Sequence, residues 1–161
     1  MNTNEAEALS IMAIATRLLL AALIGGLLGY ERRMHRKAIG IAGMVMVALG
    51  SATYMLLAKH LAATDPASLS RALQGILQGI GFLGGAVIFK SGTDVRGIKT
   101  AAAIWITGAV GLAIGTWFWG LGVVVGLATF AVLFITDLTS PAERREGSGD
   151  DNDERAFGKD A

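Results

Sequence analysis

Long apolar stretches alternate with short polar segments along most of this chain. A helix that crosses the hydrocarbon core of a bilayer needs about 20 mostly apolar residues. Five stretches approach that length, and they cover residues 9–30, 39–58, 69–89, 100–117 and 121–136. The pattern therefore predicts an all-α fold, a polytopic membrane helix bundle of about five transmembrane helices.

Basic residues mark alternate ends of the predicted helices. They follow the first, third and fifth stretches, at Arg32, Arg33, Arg36, Lys37, Lys90, Arg96, Lys99, Arg144 and Arg145. The remaining connections carry only Lys59 and Arg71. Because loops rich in Lys and Arg stay in the cytoplasm, we expect the N-terminus outside and the C-terminus in the cytoplasm.

Composition supports a membrane domain followed by a polar tail. Hydrophobic residues make up 53% of the chain and charged residues 17%, whereas about a quarter of a soluble domain is charged. Residues 1–138 are assigned to the transmembrane domain. Residues 139–161 are polar and of mixed charge, and such a segment buries too little apolar surface to order itself. We expect it to form a disordered cytoplasmic tail.

The third stretch carries a polar and small stripe. On a helix, Gln74, Gln78, Gly81 and Gly85 share one face. One interpretation is helix–helix packing, in which glycine lets backbones approach and amides form hydrogen bonds across helices. The other is a lined path for a small solute. Packing is favoured, because small-residue faces are the ordinary way in which membrane helices associate.

Arg17 lies inside the first predicted span. Either it snorkels to the outer interface, which is the favoured interpretation, or it turns inward toward Gln74 and Gln78 at a similar depth. In both cases Ala21, Gly25 and Gly29 continue from Arg17 at steps of four residues, and this ridge is suited to close packing.

Charged residues at the cytoplasmic side are further candidates for function. Glu31 and Arg32 end the first span, and Asp94, Arg96 and Lys99 precede the fourth. Such a group can bind an anion, a lipid head group or a partner, or it can simply anchor the protein by positive charge.

The sequence offers no catalytic or metal-binding pattern. It lacks cysteine, which excludes thiolate metal sites. His35 and His60 lie on opposite sides of the membrane in the expected topology. We therefore expect no enzyme activity, no resident metal and no cofactor, and the net charge of +1 does not favour nucleic acid.

Several short motifs occur together in a fixed order. They are Gly-Tyr-Glu-Arg at 29–32, Ala-Leu-Gly at 48–50, Gly-Ile-Gly-Phe-Leu-Gly-Gly at 79–85, Arg-Gly-Ile at 96–98, Thr-Ala-Ala at 100–102, Trp105 and Gly111. In this order and spacing, residues 15–137 resemble the bacterial MgtC/SapB family of inner-membrane proteins. The family-motif positions carried over are Glu31, Arg32, Gly79, Gly81, Phe82, Gly84, Gly85, Gly97, Thr100 and Trp105.

The chain departs from the family pattern at two places. Where members often carry Gly-Leu-Arg-Thr-His, residues 40–44 read Gly-Ile-Ala-Gly-Met, so the Arg, Thr and His are replaced. Lys99 stands where Thr or Asn is common. Longer members also add a soluble cytoplasmic domain, in place of which this chain has a tail.

The resemblance implies a modulator of other membrane proteins, linked to adaptation to low magnesium or stress and, in some members, to virulence. Its expected partners are the lipid bilayer, a second copy of the chain or another membrane complex. The alternative is a small oligomeric ion transporter or channel associated with magnesium transport.

Overall fold

The computed structural model describes the backbone of residues 3–62, 66–91, 94–116 and 118–139. Five helices and one small hairpin make up this part of the chain. The elements are α1 (Thr3–Met34), α2 (Ile41–Ala62), α3 (Pro66–Ala86), β1 (Phe89–Ser91), β2 (Asp94–Arg96), α4 (Ile98–Gly115) and α5 (Trp119–Thr139). The all-α bundle predicted from the hydrophobic pattern is confirmed.

Four of the described helices are long and apolar enough to cross a membrane, namely Ser10–Met34, Ile41–His60, Ile98–Gly115 and Trp119–Thr139. The chain is therefore a multi-pass membrane protein. The fifth helix, α3, does not reach the same hydropathy, and it carries Arg71, Gln74 and Gln78. It has 21 residues and packs along α2 and α4, and its predicted role as a fifth span stays a prediction.

The connection between α3 and α4 differs from the expectation. The third stretch was predicted to continue to residue 89, but α3 ends at Ala86 and Phe89 already lies in β1. The antiparallel hairpin pairs Phe89 with Arg96 and Lys90 with Val95. Gly97 follows it with φ of 90°, and a Cβ here would collide with the Val87 carbonyl. Because the strands have three residues each, they leave little periodic signal in the sequence.

Close backbone contacts hold the centre of the bundle together. Between α1 and α2, a Cβ built on Gly25 would lie 2.8 Å from Ala48 Cβ, and one built on Gly29 would lie 2.6 Å from Ile41 Cα. Ala21 of the same ridge is fully buried. The predicted packing ridge on α1 is thereby confirmed, and its partner is α2.

The other side of α2 is in close backbone contact with α4, at two further glycines. A Cβ on Gly111 would collide with the Ala48 carbonyl, and one on Gly115 would lie 2.8 Å from the Ala52 carbonyl oxygen. Since glycine permits this approach of two backbones, α2 is sandwiched between α1 and α4.

The helices alternate in direction. Gly29 near the end of α1 meets Ile41 at the start of α2, and Gly84 near the end of α3 meets Ala101 at the start of α4. The ends of α1, α3 and α5 thus lie at one end of the bundle, which we call the basic end. The orientation of this end toward the cytoplasm stays a prediction. The predicted tail starts at Thr139, which the structure places in α5, and the rest of it, residues 140–161, lies outside the described residues.

Candidate functional site

A buried ion-pair network lies at the basic end. Its centre is Arg32, whose side chain is fully buried in the last turn of α1. Nη2 of Arg32 donates to Oε1 of Glu31 at 2.8 Å and to Oδ2 of Asp137 at 2.7 Å, and Nε donates to Oε2 of Glu31. One guanidinium therefore joins the end of α1 to the end of α5.

Two partly exposed side chains close the network on its outer side. Nζ of Lys99, in the first turn of α4, lies 3.6 Å from Oδ1 of Asp137. His35 follows Glu31 by one helical turn, and its Nδ1 lies 3.1 Å from the Glu31 Oε1 and 3.8 Å from the Asp137 Oδ2. Two carboxylates thus face Arg32 and Lys99, and the positive charge of Lys37 also acts on Asp137.

Burial makes this network important for the fold. Removing one partner of a buried ion pair leaves an uncompensated charge and costs about 3–5 kcal/mol. Nη1 of Arg32 is buried without a hydrogen-bond partner among the residues that the structure describes. The other guanidinium nitrogens are fully engaged, so Arg32 is held in one orientation.

Three groups of the network have the chemistry of metal ligands. One ligand atom from each of Glu31, His35 and Asp137 lies within 4.8 Å of the others. However, both carboxylates already accept hydrogen bonds from Arg32, and a divalent cation between them would meet that positive charge at close range. The geometry favours a structural ion-pair network.

The sequence identified part of this network. Glu31, Arg32 and Lys99 come together in the network, and Thr100, which follows Lys99 in the chain, is buried at the start of α4. Arg96 lies exposed in β2, and the side chain of Asp94 is outside the described ones. His35 and Asp137 were not predicted as partners. Two features of the sequence could have indicated them. His35 follows Glu31 by four residues, and Asp137 is the only acid between residues 95 and 142.

A second region of interest is the outer side of α3. We define the open face of α3 as Gln74, Gln78, Gly81 and Gly85, all four of which are exposed. No described atom lies within 4 Å of a Cβ built on Gly81 or Gly85. The stripe predicted as a packing surface therefore points away from its own bundle.

Arg17 does not join this face. Its Nη1 donates to the carbonyl oxygen of Gly115 at 3.1 Å, at the end of α4 opposite to the basic end. The suggested pairing of Arg17 with Gln74 and Gln78 is wrong, because α1 packs against α2, α4 and α5 whereas α3 lies beyond α2. A position at the end of α4 supports the snorkelling interpretation.

A groove of about 570 Å³ runs between α2 and α3. Met46, Gly50 and Tyr54 line it from α2, and Gly75 and Gly79 from α3. Its walls are mostly apolar, and it lies on a different flank of α3 from the open face.

The remaining motif positions fall into two groups. Gly84 and Gly97 serve the fold, because Gly84 packs near Ala101 and Gly97 adopts the left-handed conformation. Phe82 and Trp105 are exposed, at 78% and 51% respectively. These aromatic side chains therefore contact lipid or a partner.

Comparison with known proteins agrees with this architecture. The model of the MgtC family matches residues 18–142, which run from α1 through the whole ion-pair network to the end of α5. The chain belongs to the MgtC family. The resemblance seen in the sequence motifs is confirmed.

Named relatives support the same assignment. The Brucella abortus "Protein MgtC" is 38% identical over 121 residues, which cover 75% of this chain and 49% of the relative. The Escherichia coli K12 "Putative magnesium transporter YhiD" is 35% identical over 123 residues, covering 73% and 57%. The Synechococcus elongatus "Protein SrpB" is 35% identical over 136 residues, covering 76% and 74%.

This MgtC-family chain spans about half the length of the Brucella relative that it matches. No solved structure matches the chain.

Proposed function

We propose that this protein is a non-enzymatic inner-membrane modulator of other membrane proteins, linked to adaptation to low magnesium or stress. It acts through helix–helix contacts with a second copy or with another membrane complex. The observation that carries the proposal is the open face of α3, where two amides and two glycines are exposed together.

The exposed amides and glycines of this face favour its contact with another helix. An amide in an apolar environment without a hydrogen bond costs roughly 2–7 kcal/mol, depending on the reference state. Glycine at four-residue spacing lets a second helix backbone approach closely. A partner helix that lies along α3 would use Gly81 and Gly85 for contact and would accept or donate hydrogen bonds at Gln74 and Gln78.

The basic end supports a role other than catalysis. Its buried acids accept hydrogen bonds from Arg32, and its partly exposed Lys99 lies beside Asp137. A nucleophile needs an adjacent base that is available to take a proton, whereas these groups are already held by their partners.

The test is substitution at the open face. Gly81→Leu and Gly85→Leu should abolish self-association or co-purification of a partner from native membranes after crosslinking. The fold should survive, because a Cβ added at either position has no described atom of a neighbouring element within 4 Å. Gly120→Leu is the matched control, since Gly120 of α5 is also exposed with open space around it. Unchanged association in both α3 variants would refute the proposal.

A small oligomeric ion transporter or channel is the alternative function. The name of the relative YhiD favours it, together with the carboxylates of Glu31 and Asp137 at the basic end. Pure protein in liposomes with magnesium and proton reporters tests it directly. Saturable flux that disappears in Gln78→Leu would favour transport, whereas zero flux from well-folded protein would remove this alternative.

A further inference from the structure

We propose that the groove between α2 and α3 is a binding site for a membrane quinone. One carbonyl oxygen of the quinone accepts a hydrogen bond from Ser51, the ring stacks on Tyr54, and the apolar tail lies along the groove. The groove is on a different flank of α3 from the open face, so this site does not rest on the function proposed above.

A buried hydroxyl without a partner lies at the floor of the groove. Ser51 lines the groove and is only 4% exposed, and its Cβ would lie 2.8 Å from a Cβ built on Gly111 of α4. No residue in the described part of the chain forms a hydrogen bond with its hydroxyl. By contrast, the buried hydroxyl of Thr107 donates to the Ala103 carbonyl. Because an unpaired hydroxyl in apolar surroundings is costly, a ligand that brings an acceptor to Ser51 is stabilised there.

The depth of Ser51 restricts which molecule can supply that acceptor. Ser51 lies in the middle of α2, which has 22 residues, and ten residues of helix from Ile41 correspond to about 15 Å. The hydrocarbon core of a bilayer is about 30 Å thick, with the phospholipid head groups outside it. Ser51 therefore lies near the bilayer midplane. A quinone has no charge, so its ring can enter the hydrocarbon core and bring a carbonyl oxygen to this depth.

Tyr54 gives the ring of the ligand a surface to pack against. It follows Ser51 by three residues on α2, so the two side chains are neighbours on one helix face. Tyr54 also lines the groove, and it is exposed. Aromatic rings favour offset stacking with one another. A flat ring with a carbonyl oxygen at its edge can therefore contact Tyr54 and accept the hydrogen bond of Ser51 together.

Glycines on both walls leave room for the ligand. A Cβ built on Gly50 of α2, or on Gly75 or Gly79 of α3, would have no described atom of a neighbouring element within 4 Å. The resulting volume of about 570 Å³ falls within the range of about 300–1,000 Å³ that is typical of ligand sites. Gly75 and Gly79 are exposed, so the groove opens sideways to the surroundings of the bundle.

The rest of the groove suits an apolar tail. Met46 and Val47 of α2 and Ile76 and Leu83 of α3 line it beyond Ser51. Among the described residues that line the groove, none is charged. A neutral ligand with a long apolar chain therefore matches the walls, and a charged one does not, because burying an unpaired charge is strongly unfavourable.

The experiment is photolabelling of the whole chain in nanodiscs of phosphatidylcholine. The probe is an aryl-azide derivative of a short-chain ubiquinone, and labelled peptides are identified by mass spectrometry. We expect labelled peptides from α2 and α3, and we expect excess decylubiquinone to displace the probe. Decylbenzene has the same tail but no carbonyl oxygen and should displace it poorly. Equal displacement by both would show that the groove accepts any apolar chain, and labelling that decylubiquinone does not displace would show no specific site. Either result would overturn the proposal.

Conservative variants test the contribution of each side chain. Ser51→Ala should raise the decylubiquinone concentration needed for half-displacement about fivefold, which corresponds to one hydrogen bond. Tyr54→Phe keeps the ring and should bind as the native chain does, whereas Tyr54→Leu should bind more weakly. If Ser51→Ala and Tyr54→Leu both bound decylubiquinone as the native chain does, the assigned contacts would be wrong.

A larger variant tests the place of binding. Gly79→Leu should fill the groove and abolish the displaceable labelling. Gly120→Leu is the matched control, because Gly120 of α5 is also exposed with open space around it, and it should be labelled as the native chain is. Native labelling in Gly79→Leu would place the ligand elsewhere and overturn the proposal. Ser51→Ala, which removes only one oxygen, decides the question if Gly79→Leu does not fold.

Discussion

Two pairs of glycines in this protein have the same four-residue spacing but opposite surroundings. Gly25 and Gly29 of α1 lie against α2 so closely that an added Cβ would approach its atoms within 3 Å. Gly81 and Gly85 of α3 have the same four-residue spacing, yet an added Cβ would meet open space. The first pair is used by the fold of the chain, and the second faces away from the bundle.

The polar side chains of the two regions also differ, in burial and in hydrogen bonding. Arg32 is fully buried, and its guanidinium is shared by two carboxylates. Gln74 and Gln78 are exposed on α3. The buried charges at the basic end thus pair with one another, whereas the open face of α3 carries polar groups that a lipid chain cannot satisfy. Variants that change stability and variants that change association should therefore separate by region.

The largest loss of stability is expected from Arg32→Leu. This change leaves the Glu31 and Asp137 carboxylates buried without their shared cation, and breaking a buried pair costs about 3–5 kcal/mol. The measurement is thermal unfolding in detergent, followed by circular dichroism. Arg33→Leu is the neighbouring control, because Arg33 is exposed. If both variants melted alike, the network would have no structural role.

A smaller loss is expected when the tight interior is overpacked. Gly111→Leu would push a side chain into the Ala48 carbonyl and toward Ser51 Cβ, which lies 2.8 Å from the added Cβ. Overpacking costs about 1–3 kcal/mol, and the same melting experiment should show it. Gly120→Leu adds the same side chain at an open position and should change little. Equal melting temperatures for the two would mean that α2 and α4 are not in close contact.

The sequence predicted the helices and their internal packing better than the contacts at the helix ends and the outer surface of the bundle. Apolar stretches and four-residue spacing gave the helices and the α1 ridge, because both are local properties of a helix. The pairing of Arg32 with Asp137 joins residues far apart in the chain, and their proximity depends on how α1 and α5 are arranged. A polar stripe also predicts that a helix face will be covered, but not whether its own chain covers it.

A still smaller effect on the fold is expected from Arg17→Leu. Its side chain donates a hydrogen bond to the Gly115 carbonyl, and such bonds between membrane helices average about 0.6 kcal/mol each. The melting temperature should therefore fall slightly. Arg17→Lys keeps a donor and should lose less. A loss as large as that of Arg32→Leu would show that Arg17 belongs to a buried network at its own end of the bundle.

The smallest effect on the fold, and the clearest test of the comparison, is expected from Gln74→Leu combined with Gln78→Leu. Both side chains are exposed, so the isolated bundle should melt as before, because no interior contact is lost. Association measured by crosslinking in native membranes should fall, since the partner would lose its amide hydrogen bonds while Gly81 and Gly85 still permit approach. Leu57→Gln, at an exposed position of α2, provides the converse control and should not create association. If the double variant instead lowered the melting temperature and left association unchanged, the two amides would stabilise the fold. The open face of α3 would then not be a surface for association.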